Sequence, residues 1–329
     1  MDNKIMDSSG RNYKNDQDLI DRSAGNYMNS GVTYQGAKTL EVLGDYRYTY
    51  LNGNILTSMS GMPINGKELD SNGIPKDSIE GGHSELDNSL QSHQNWRNWV
   101  FMMEAELAAL VDLGYDVDLK SVYGKSYYAD NKIETYRDGF FARNTARNAY
   151  IDNQSNTQTY GIGVHIYGKN NNITVSGKNL MAAEMASAGV WIDGSDNIFT
   201  IANGTKITAN GINGMGIYTA FGKDHTININ GEVEATGQGG IGIRADFGEN
   251  TLGDDKEGRG SHFRWLYGNV PDVPYNSKTD PTKGGKYERQ YVGNTYVGNI
   301  RKYDDRTPEM DLEGALIKDL NINGKVRGS

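Results

Sequence analysis

The sequence predicts a mainly β chain that folds as a right-handed parallel β-helix, a solenoid of stacked coils. Three observations predict this fold class. Glycine-bounded segments recur at Gly163, Gly189, Gly216 and Gly242, so successive copies lie 26 or 27 residues apart. Each copy contains three short segments with the alternation of a strand, and no helical periodicity interrupts them. A unit of this length is also too short for a four-stranded propeller blade.

Each predicted coil has three strands in a fixed order. The first strands cover residues 163–166, 189–192, 216–219 and 242–245, the second cover 173–177, 199–204 and 227–231, and the third cover 207–211 and 233–237. Apolar residues alternate with Asn, Thr or Glu, which buries one face of each strand. Gly and Asn take the corners, where positive φ is needed. The alternative is an antiparallel sandwich with Gly-rich turns, which would not need the copies to match strand for strand.

The composition limits the class of protein. The 329 residues include 42 Gly, 21 Tyr and no Cys, with a formal net charge of −9 at pH 7. The absence of Cys excludes disulfide and thiol chemistry. An acidic balance without a basic stripe argues against nucleic acid as a partner. No apolar run is long enough to span a bilayer, and residues 1–4 lack a signal peptide's apolar stretch, so we expect any export signal to lie outside this chain.

The repeat region is assigned to residues 159–329, with an excursion expected at about residues 250–317. The excursion contains an aromatic and Pro-rich loop at residues 262–275, through which we expect contact with a host or neighbouring-cell surface protein or glycan. An inert excursion is the alternative. Residues 320–328 match residues 227–235, so we expect a further coil to begin there, with further coils or another domain in a longer parent protein. The glycine repeats lack the aspartates of calcium-binding nonapeptides, which predicts no bound calcium.

The N-terminal third does not show the repeat. Residues 1–32 are predicted to be irregular, residues 33–118 to form a small, partly helical domain, and residues 119–158 to be a connector. Apolar residues at helical spacing predict a helix over residues 96–113, ended by Gly114. Glu104 and Glu106, near its middle, are interpreted as solvated surface charges. His165, which lies in a strand of the repeat, is also interpreted as a surface residue.

Three motifs of the N-terminal third carry a resemblance to a known family. They are Tyr-Gln-Gly-Ala-Lys at residues 34–38, the segment 81–93 that begins Gly-Gly-His-Ser-Glu, and the helix end at residues 106–115. Residues 33–118 resemble the C-terminal half of a zincin metalloprotease of the leishmanolysin-like kind. The resemblance implies that His83 is the third zinc ligand, and it places Gln91 where the family carries the methionine of its turn.

The chain departs from this family in one decisive motif. The 329 residues contain no HExxH, which in the family supplies two zinc ligands and the general base. We therefore expect no complete catalytic site and no cofactor within this chain alone, and zinc only if a HExxH lies upstream in a longer parent. A degenerate zincin domain kept as a structural module is the other interpretation.

The order of the two regions carries a second resemblance. A zincin-like segment that passes through residues 123–128 into Gly/Asn/Thr-rich coils is similar to the passenger region of autotransporters from Gram-negative bacteria, including fusobacterial ones. That resemblance implies secretion or display at the cell surface by an outer-membrane barrel in the parent protein. We therefore expect a structural and adhesive surface protein. The alternative is a zinc metalloendopeptidase whose HExxH half lies upstream.

Overall fold

The computed structural model describes residues 5–6, 12–13, 33–44, 61–64, 67–69, 75–79, 84, 86, 89, 91, 102–177, 180–181, 185–219, 223–245, 287–292, 295–301 and 316–329. The chain divides into two compact units. The first comprises Met1–Glu41, Arg47–Leu113 and Phe247–Glu313, and the second comprises Val42–Tyr46, Gly114–Asp246 and Gly314–Ser329. Within the described ranges, no helix is both long and apolar enough to cross a membrane.

Short strands dominate the described chain, with three helices among them. In chain order the elements are β1 (Ile5–Met6), β2 (Asn12–Tyr13), β3 (Thr33–Tyr34), α1 (Ala37–Leu43), β4 (Met62–Pro63), β5 (Lys67–Leu69), β6 (Pro75–Ile79), α2 (Glu104–Asp112), α3 (Leu119–Val122), β7 (Tyr123–Tyr127), β8 (Ile133–Tyr136), β9 (Phe141–Arg143), β10 (Tyr150–Ser155), β11 (Ile162–Ile166), β12 (Asn172–Val175), β13 (Leu180–Met181), β14 (Ala188–Ile192), β15 (Ile198–Ile201), β16 (Lys206–Thr208), β17 (Met215–Thr219), β18 (His225–Ile229), β19 (Glu232–Ala235), β20 (Ile241–Ala245), β21 (Tyr287–Val292), β22 (Thr295–Arg301), β23 (Ile317–Ile322) and β24 (Lys325–Gly328).

The first unit contains small antiparallel sheets. Strands β1 to β4 form a four-stranded sheet in the order β2-β1-β3-β4, and the pairs β5-β6 and β21-β22 form two-stranded sheets. Helix α2 ends at Asp112, and Gly114 follows with a φ of 98°. The predicted glycine stop is therefore confirmed, while the described helix begins at Glu104.

The second unit contains three parallel sheets. The first parallel sheet has the order β20-β17-β14-β11-β7, the second has β23-β18-β15-β12-β8, and the third has β13-β16-β19-β24. Register aligns the copies of the repeat: Ile162, Ala188, Met215 and Ile241 are neighbours on successive strands of the first sheet. Strands β7 and β8, within the predicted connector, pair with β11 and β12 and so add an earlier member to two of the sheets.

The predicted fold class, a right-handed parallel β-helix, is wrong. The chain is mostly β, with 44% in strands and several parallel sheets, but no sheet in the described chain wraps into a solenoid or barrel. The physical reason lies at the corners, where residues at positive φ turn the chain out of one sheet, so each sheet stays a separate ladder of strands. Consecutive strands therefore enter different sheets, and each sheet keeps two edges. The copies pair in parallel, so the antiparallel sandwich does not describe them either.

Two kinds of corner recur among the described copies. One precedes the strands of the first sheet and places Tyr160, Ala186, Asn213 and Gly239 at positive φ; the other precedes the strands of the second sheet and places Asn131, Asn170, Asp196 and Asp224 there. Asn and Asp tolerate this region because their short polar side chains bond locally. Tyr160 and Ala186 have no such side chain, so the neighbouring strands hold them in place.

The apolar core of the second unit is built from alternate residues of the three sheets. Its fully buried members are Phe140, Val164, Ile166, Ile173, Val175, Val190, Ile192, Phe199, Ile201, Ile207, Ile217, Ile227, Ile229 and Val233, with Tyr127 and Tyr136 slightly exposed. The predicted alternation is confirmed in the second sheet, where Ile227 and Ile229 are buried and Asn228 between them is partly exposed.

A column of glycines lets the first and third sheets approach each other. We call Gly163, Gly189, Gly216 and Gly242 the glycine column; they occupy equivalent positions on β11, β14, β17 and β20. A Cβ on Gly189 would lie 2.3 Å from Ile207 Cγ2, and a Cβ on Gly216 would lie 2.2 Å from Val233 Cγ1. Only glycine fits where side chains of the third sheet press this closely on the backbone of the first.

We expect Gly189→Ala to lower the free energy of unfolding by about 1–3 kcal/mol, because the added methyl forces Ile207 or the backbone of Gly216 to move. Gly204→Asn is the matched control. Gly204 has a φ of 77° with no neighbour within 4 Å of an added Cβ, and Asn tolerates that conformation. Urea unfolding followed by circular dichroism measures both variants. Equal stability of the two variants would contradict the close approach.

Candidate functional site

The residues singled out for function from the sequence lie outside the described residues. They are His83, implied as a zinc ligand, and the loop at residues 262–275. In the part of the chain that the structure describes, no group of three or more His, Asp or Glu side chains is placed to hold a metal ion. Three other sites are well defined: a buried acid on α2, a carboxylate shared by two helices, and a buried imidazole in the first parallel sheet.

The buried acid is Glu106, in the first turn of α2. Its Oε2 accepts a hydrogen bond from the backbone N–H of Met103 at 2.8 Å, which pairs a donor at the start of the helix. Its Oε1 accepts from the hydroxyls of Ser84 and Ser89. Glu106 is 1% exposed, and Glu104 is equally buried. The interpretation of both as surface charges is therefore wrong.

Burial raises the pKa of Glu106 above its usual range. The hydrogen bonds from Ser84, Ser89 and the backbone N–H groups of Met103 and Gln91 act in the opposite direction, because they favour the carboxylate. Desolvation outweighs them. Glu106 therefore links Ser84 and Ser89 to the start of α2 through hydrogen bonds. Because its pKa is shifted in the folded state, its proton uptake is coupled to folding.

A second carboxylate, Asp112 of α2, binds the first turn of α1. Its oxygens accept hydrogen bonds from the backbone N–H groups of Lys38 and Thr39, each at 2.9 Å, and from the Thr39 hydroxyl at 2.9 Å. These N–H groups belong to the first turn of α1, where carboxylates are favourable. A Cβ on Gly36 would lie 2.0 Å from Asp112 Oδ2, so the glycine is required for the contact.

Asp112 also acts on a neighbouring phenol. Tyr34 is buried, and its pKa is raised to about 12, first by burial and second by the charge of Asp112. The hydroxyl of Tyr34 has no hydrogen-bond partner among the described residues. Asp112 thus binds the residues that follow Gly36 in the Tyr-Gln-Gly-Ala-Lys segment, and its charge acts on the Tyr34 hydroxyl that precedes it.

The buried imidazole is His165, on β11. Its Nε2 lies 3.0 Å from Asp193 Oδ2, and the indole N–H of Trp191 donates to Asp193 Oδ1 at 2.8 Å. The rings of His165 and Trp191 stack with centroids 4.7 Å apart, because register makes them neighbours on β11 and β14. His165 is completely buried, so its interpretation as a surface residue is wrong.

Aromatic rings enclose this imidazole. Tyr123, Tyr128 and Tyr167 have ring centroids 6.0 to 6.1 Å from that of His165. Nδ1 of His165 has no hydrogen-bond partner among the described residues. The same register position continues as Tyr218 and Arg244, with the guanidinium 5.4 Å from the Tyr218 ring centroid. Asp193 orients both rings, so the arrangement makes this side of the sheet rigid.

The second sheet carries a row of polar side chains where the first sheet carries aromatic ones. The polar column of the second sheet consists of Thr135, Thr174, Thr200, Asn228 and Asn321, which are neighbours on successive strands. Its side chains bond to one another: Asn228 Nδ2 donates to Thr200 Oγ1 at 3.2 Å, and Asn321 Nδ2 donates to Asn228 Oδ1 at 2.9 Å. This column lies between the core positions of the same strands, so it faces away from the core.

Comparisons with models of protein families, with curated proteins and with solved structures find no match for this chain.

We expect Glu106→Gln to change how stability depends on pH. Because the pKa of folded Glu106 is raised, the wild-type residue contributes stability that is fully present below the ordinary Glu pKa of about 4.3 and is lost as pH rises through the folded pKa. The neutral amide has no such loss. The free energy of unfolding of the variant, measured with urea, should therefore increase relative to that of the wild type as the pH rises from 4 to 8. The exposed Glu41→Gln is the control. Parallel curves for wild type and Glu106→Gln would contradict the assignment.

We expect Asp112→Ala to destabilise the first unit by about 1–2 kcal/mol, because two N–H groups and a hydroxyl lose their acceptor. Asp112→Asn, which keeps one acceptor oxygen, should cost less. It should also lower the pKa of Tyr34 from about 12 while leaving it above the ordinary value of about 10, since burial is the larger cause. Urea unfolding and NMR titration of the Tyr34 ring measure the two effects. If the Tyr34 pKa is unchanged in Asp112→Asn, the charge of Asp112 does not raise it, and the assignment is contradicted.

Proposed function

We propose that this chain is a structural and adhesive module of a secreted or cell-surface protein, of the autotransporter passenger kind, and that it binds glycans on a host or neighbouring cell. The observation that carries the proposal is the polar column of the second sheet. Five strands present hydroxyl or amide groups in register on a face turned away from the core.

The chemistry of the column suits an uncharged polar partner. Hydroxyl and amide side chains both donate and accept hydrogen bonds, as sugar hydroxyls do. The column carries no ionic side chain, so a charged polymer has no counterion in it. The column is also held in place: Thr200, Asn228 and Asn321 bond to one another, and the core residues of β12, β15 and β18 beneath it are fully buried. A surface ordered before binding loses less conformational entropy when it binds.

The resemblance to autotransporter passengers supports a location outside the cell. Repeats rich in Gly, Asn and Thr are similar to autotransporter passengers, which act outside the cell. The aromatic loop at residues 262–275 is proposed as a second contact with the same partner, since binding residues are often carried on long loops.

We expect Thr174→Arg with Thr200→Arg to reduce adhesion of the purified chain to cells at least about tenfold, because two long charged side chains displace the partner from the column. Asn203→Arg with Gln238→Arg is the matched control, since it adds the same charge at two exposed positions outside the column. Flow cytometry with fluorescent protein measures adhesion. A chain without residues 262–275 tests the loop separately and should bind more weakly while its strand content is unchanged.

Treatment of the cells distinguishes the class of partner. Periodate oxidation of cell-surface glycans should abolish adhesion, and protease treatment should leave most of it. Loss of adhesion after protease alone would assign the partner to proteins and contradict the glycan. Absence of adhesion to both host and bacterial cells, or equal adhesion of the column variant and its control, would contradict the proposed function.

A further inference from the structure

Asn-Gly pairs occupy several corners between the strands of the second unit. Those among the described residues begin at Asn203, Asn210, Asn213, Asn230 and Asn323. An Asn that precedes Gly can react with the main chain that follows it, because glycine has no side chain to keep its backbone nitrogen away from the carboxamide. The contacts of each pair therefore determine whether it reacts in the folded chain.

The pair Asn203-Gly204 lies on a protruding turn between β15 and β16. Residues 202–205 make this connection, whereas residues 230–231 alone make the equivalent connection between β18 and β19. The strands at both ends of the two connections are neighbours in register. The longer connection therefore projects from the sheets, with Asn203 and Gly204 at its tip.

The reacting groups of this turn are free to approach each other. Asn203 and Gly204 are both exposed, and a Cβ on Gly204 would have no neighbour within 4 Å. Neither the carboxamide of Asn203 nor the N–H of Gly204 forms a hydrogen bond with another described residue. The bond that closes the turn, from the N–H of Thr205 to the carbonyl of Ala202 at 3.1 Å, involves neither group.

The two pairs before β17 are held by hydrogen bonds. Oδ1 of Asn210 accepts from the backbone N–H of Thr236 at 2.9 Å and from its hydroxyl at 3.0 Å. After Asn213, the N–H of Gly214 donates to the carbonyl of Gly211 at 3.0 Å. In one pair the carboxamide is fixed, and in the other the attacking nitrogen is engaged.

The two remaining pairs lie against neighbouring copies of the repeat. Nδ2 of Asn323 donates to Oδ1 of Asn230 at 3.0 Å, so each fixes the carboxamide of the other. The N–H of Gly324 donates to the main chain of β18 at 2.9 Å. A Cβ on Gly231 would lie 2.1 Å from the carbonyl oxygen of Thr205, so its main chain is packed against the preceding copy.

We propose that Asn203 is a site of spontaneous deamidation in the folded chain, and that it reacts faster than the other described Asn-Gly pairs. The backbone nitrogen of Gly204 loses its proton to solvent and forms a bond to Cγ of Asn203. The bond from Cγ to Nδ2 breaks, and ammonia leaves. Water then opens the cyclic imide at either carbonyl and gives aspartate or isoaspartate. No oxidant or reductant takes part.

The reaction changes the turn in two ways. A carboxylate replaces a neutral amide, so the formal net charge becomes one unit more negative than −9. In the isoaspartate product the main chain also runs through the former side chain, which lengthens the turn by one atom. The turn lies outside the strands and outside the polar column, so the modification is independent of the proposed function.

Peptide mapping by mass spectrometry tests the site in the purified full chain incubated at mildly alkaline pH. Deamidation adds about 1 Da to a peptide, and fragmentation assigns it to one Asn. We expect Asn203 to react at least about tenfold faster than the other four, which corresponds to a barrier lower by about 1.4 kcal/mol. A rate at Asn203 equal to or below the others would overturn the proposal.

The chain unfolded in urea is the control for local sequence. There all five pairs should react at similar rates, because the contacts that hold four of them are lost. If Asn203 keeps its full advantage in urea, the fold does not select it, and the structural argument is overturned.

Gly204→Asn tests the chemical route. The added side chain hinders the attacking nitrogen, while Asn tolerates the positive φ of this position. We expect at least about a tenfold slower reaction at Asn203 and unchanged rates at Asn210 and Asn230. An unchanged rate at Asn203, or wild-type product that contains aspartate without isoaspartate, would indicate direct hydrolysis of the amide and overturn the cyclic route.

Discussion

The close approach of the first and third parallel sheets is the constraint on which the second unit depends. At the glycine column, side-chain atoms of Ile207 and Val233 lie where a Cβ would otherwise stand, so the main chain of one sheet forms part of the wall against which the other packs. Interiors at crystal-like density do not adjust to an extra methyl group without moving neighbours. The same approach places Ile207 and Val233 within the fully buried core. The glycines therefore determine the spacing of the sheets, and the alternating apolar residues fill it.

The regular part of this unit could be predicted from sequence because it rests on local rules. Glycine spacing located the copies, and alternation located buried positions such as Ile227 and Ile229. The parallel pairing of equivalent strands is found, but the wrapping of the sheets into a solenoid was predicted wrongly, because the sequence does not state how the chain turns at corners such as Ala186, a non-glycine residue at positive φ. The connector was underestimated although it carries the same signals: Gly124 aligns with Gly163, and Asn131 takes the positive-φ corner before β8. An insert that contains β9 and β10 separates these signals from the later copies and hides the repeat spacing.

The buried polar groups could not be predicted, because each depends on partners distant in sequence. Glu106 looks like a surface residue until Ser84 and Ser89 are placed beside it, and His165 until Asp193 is. A buried polar group without such partners would cost several kcal/mol, about 1–3 for a neutral donor or acceptor and more for a charge. The signal that could have indicated His165 is the register itself. It aligns His165 with Trp191, Tyr218 and Arg244, a column too aromatic for an exposed face.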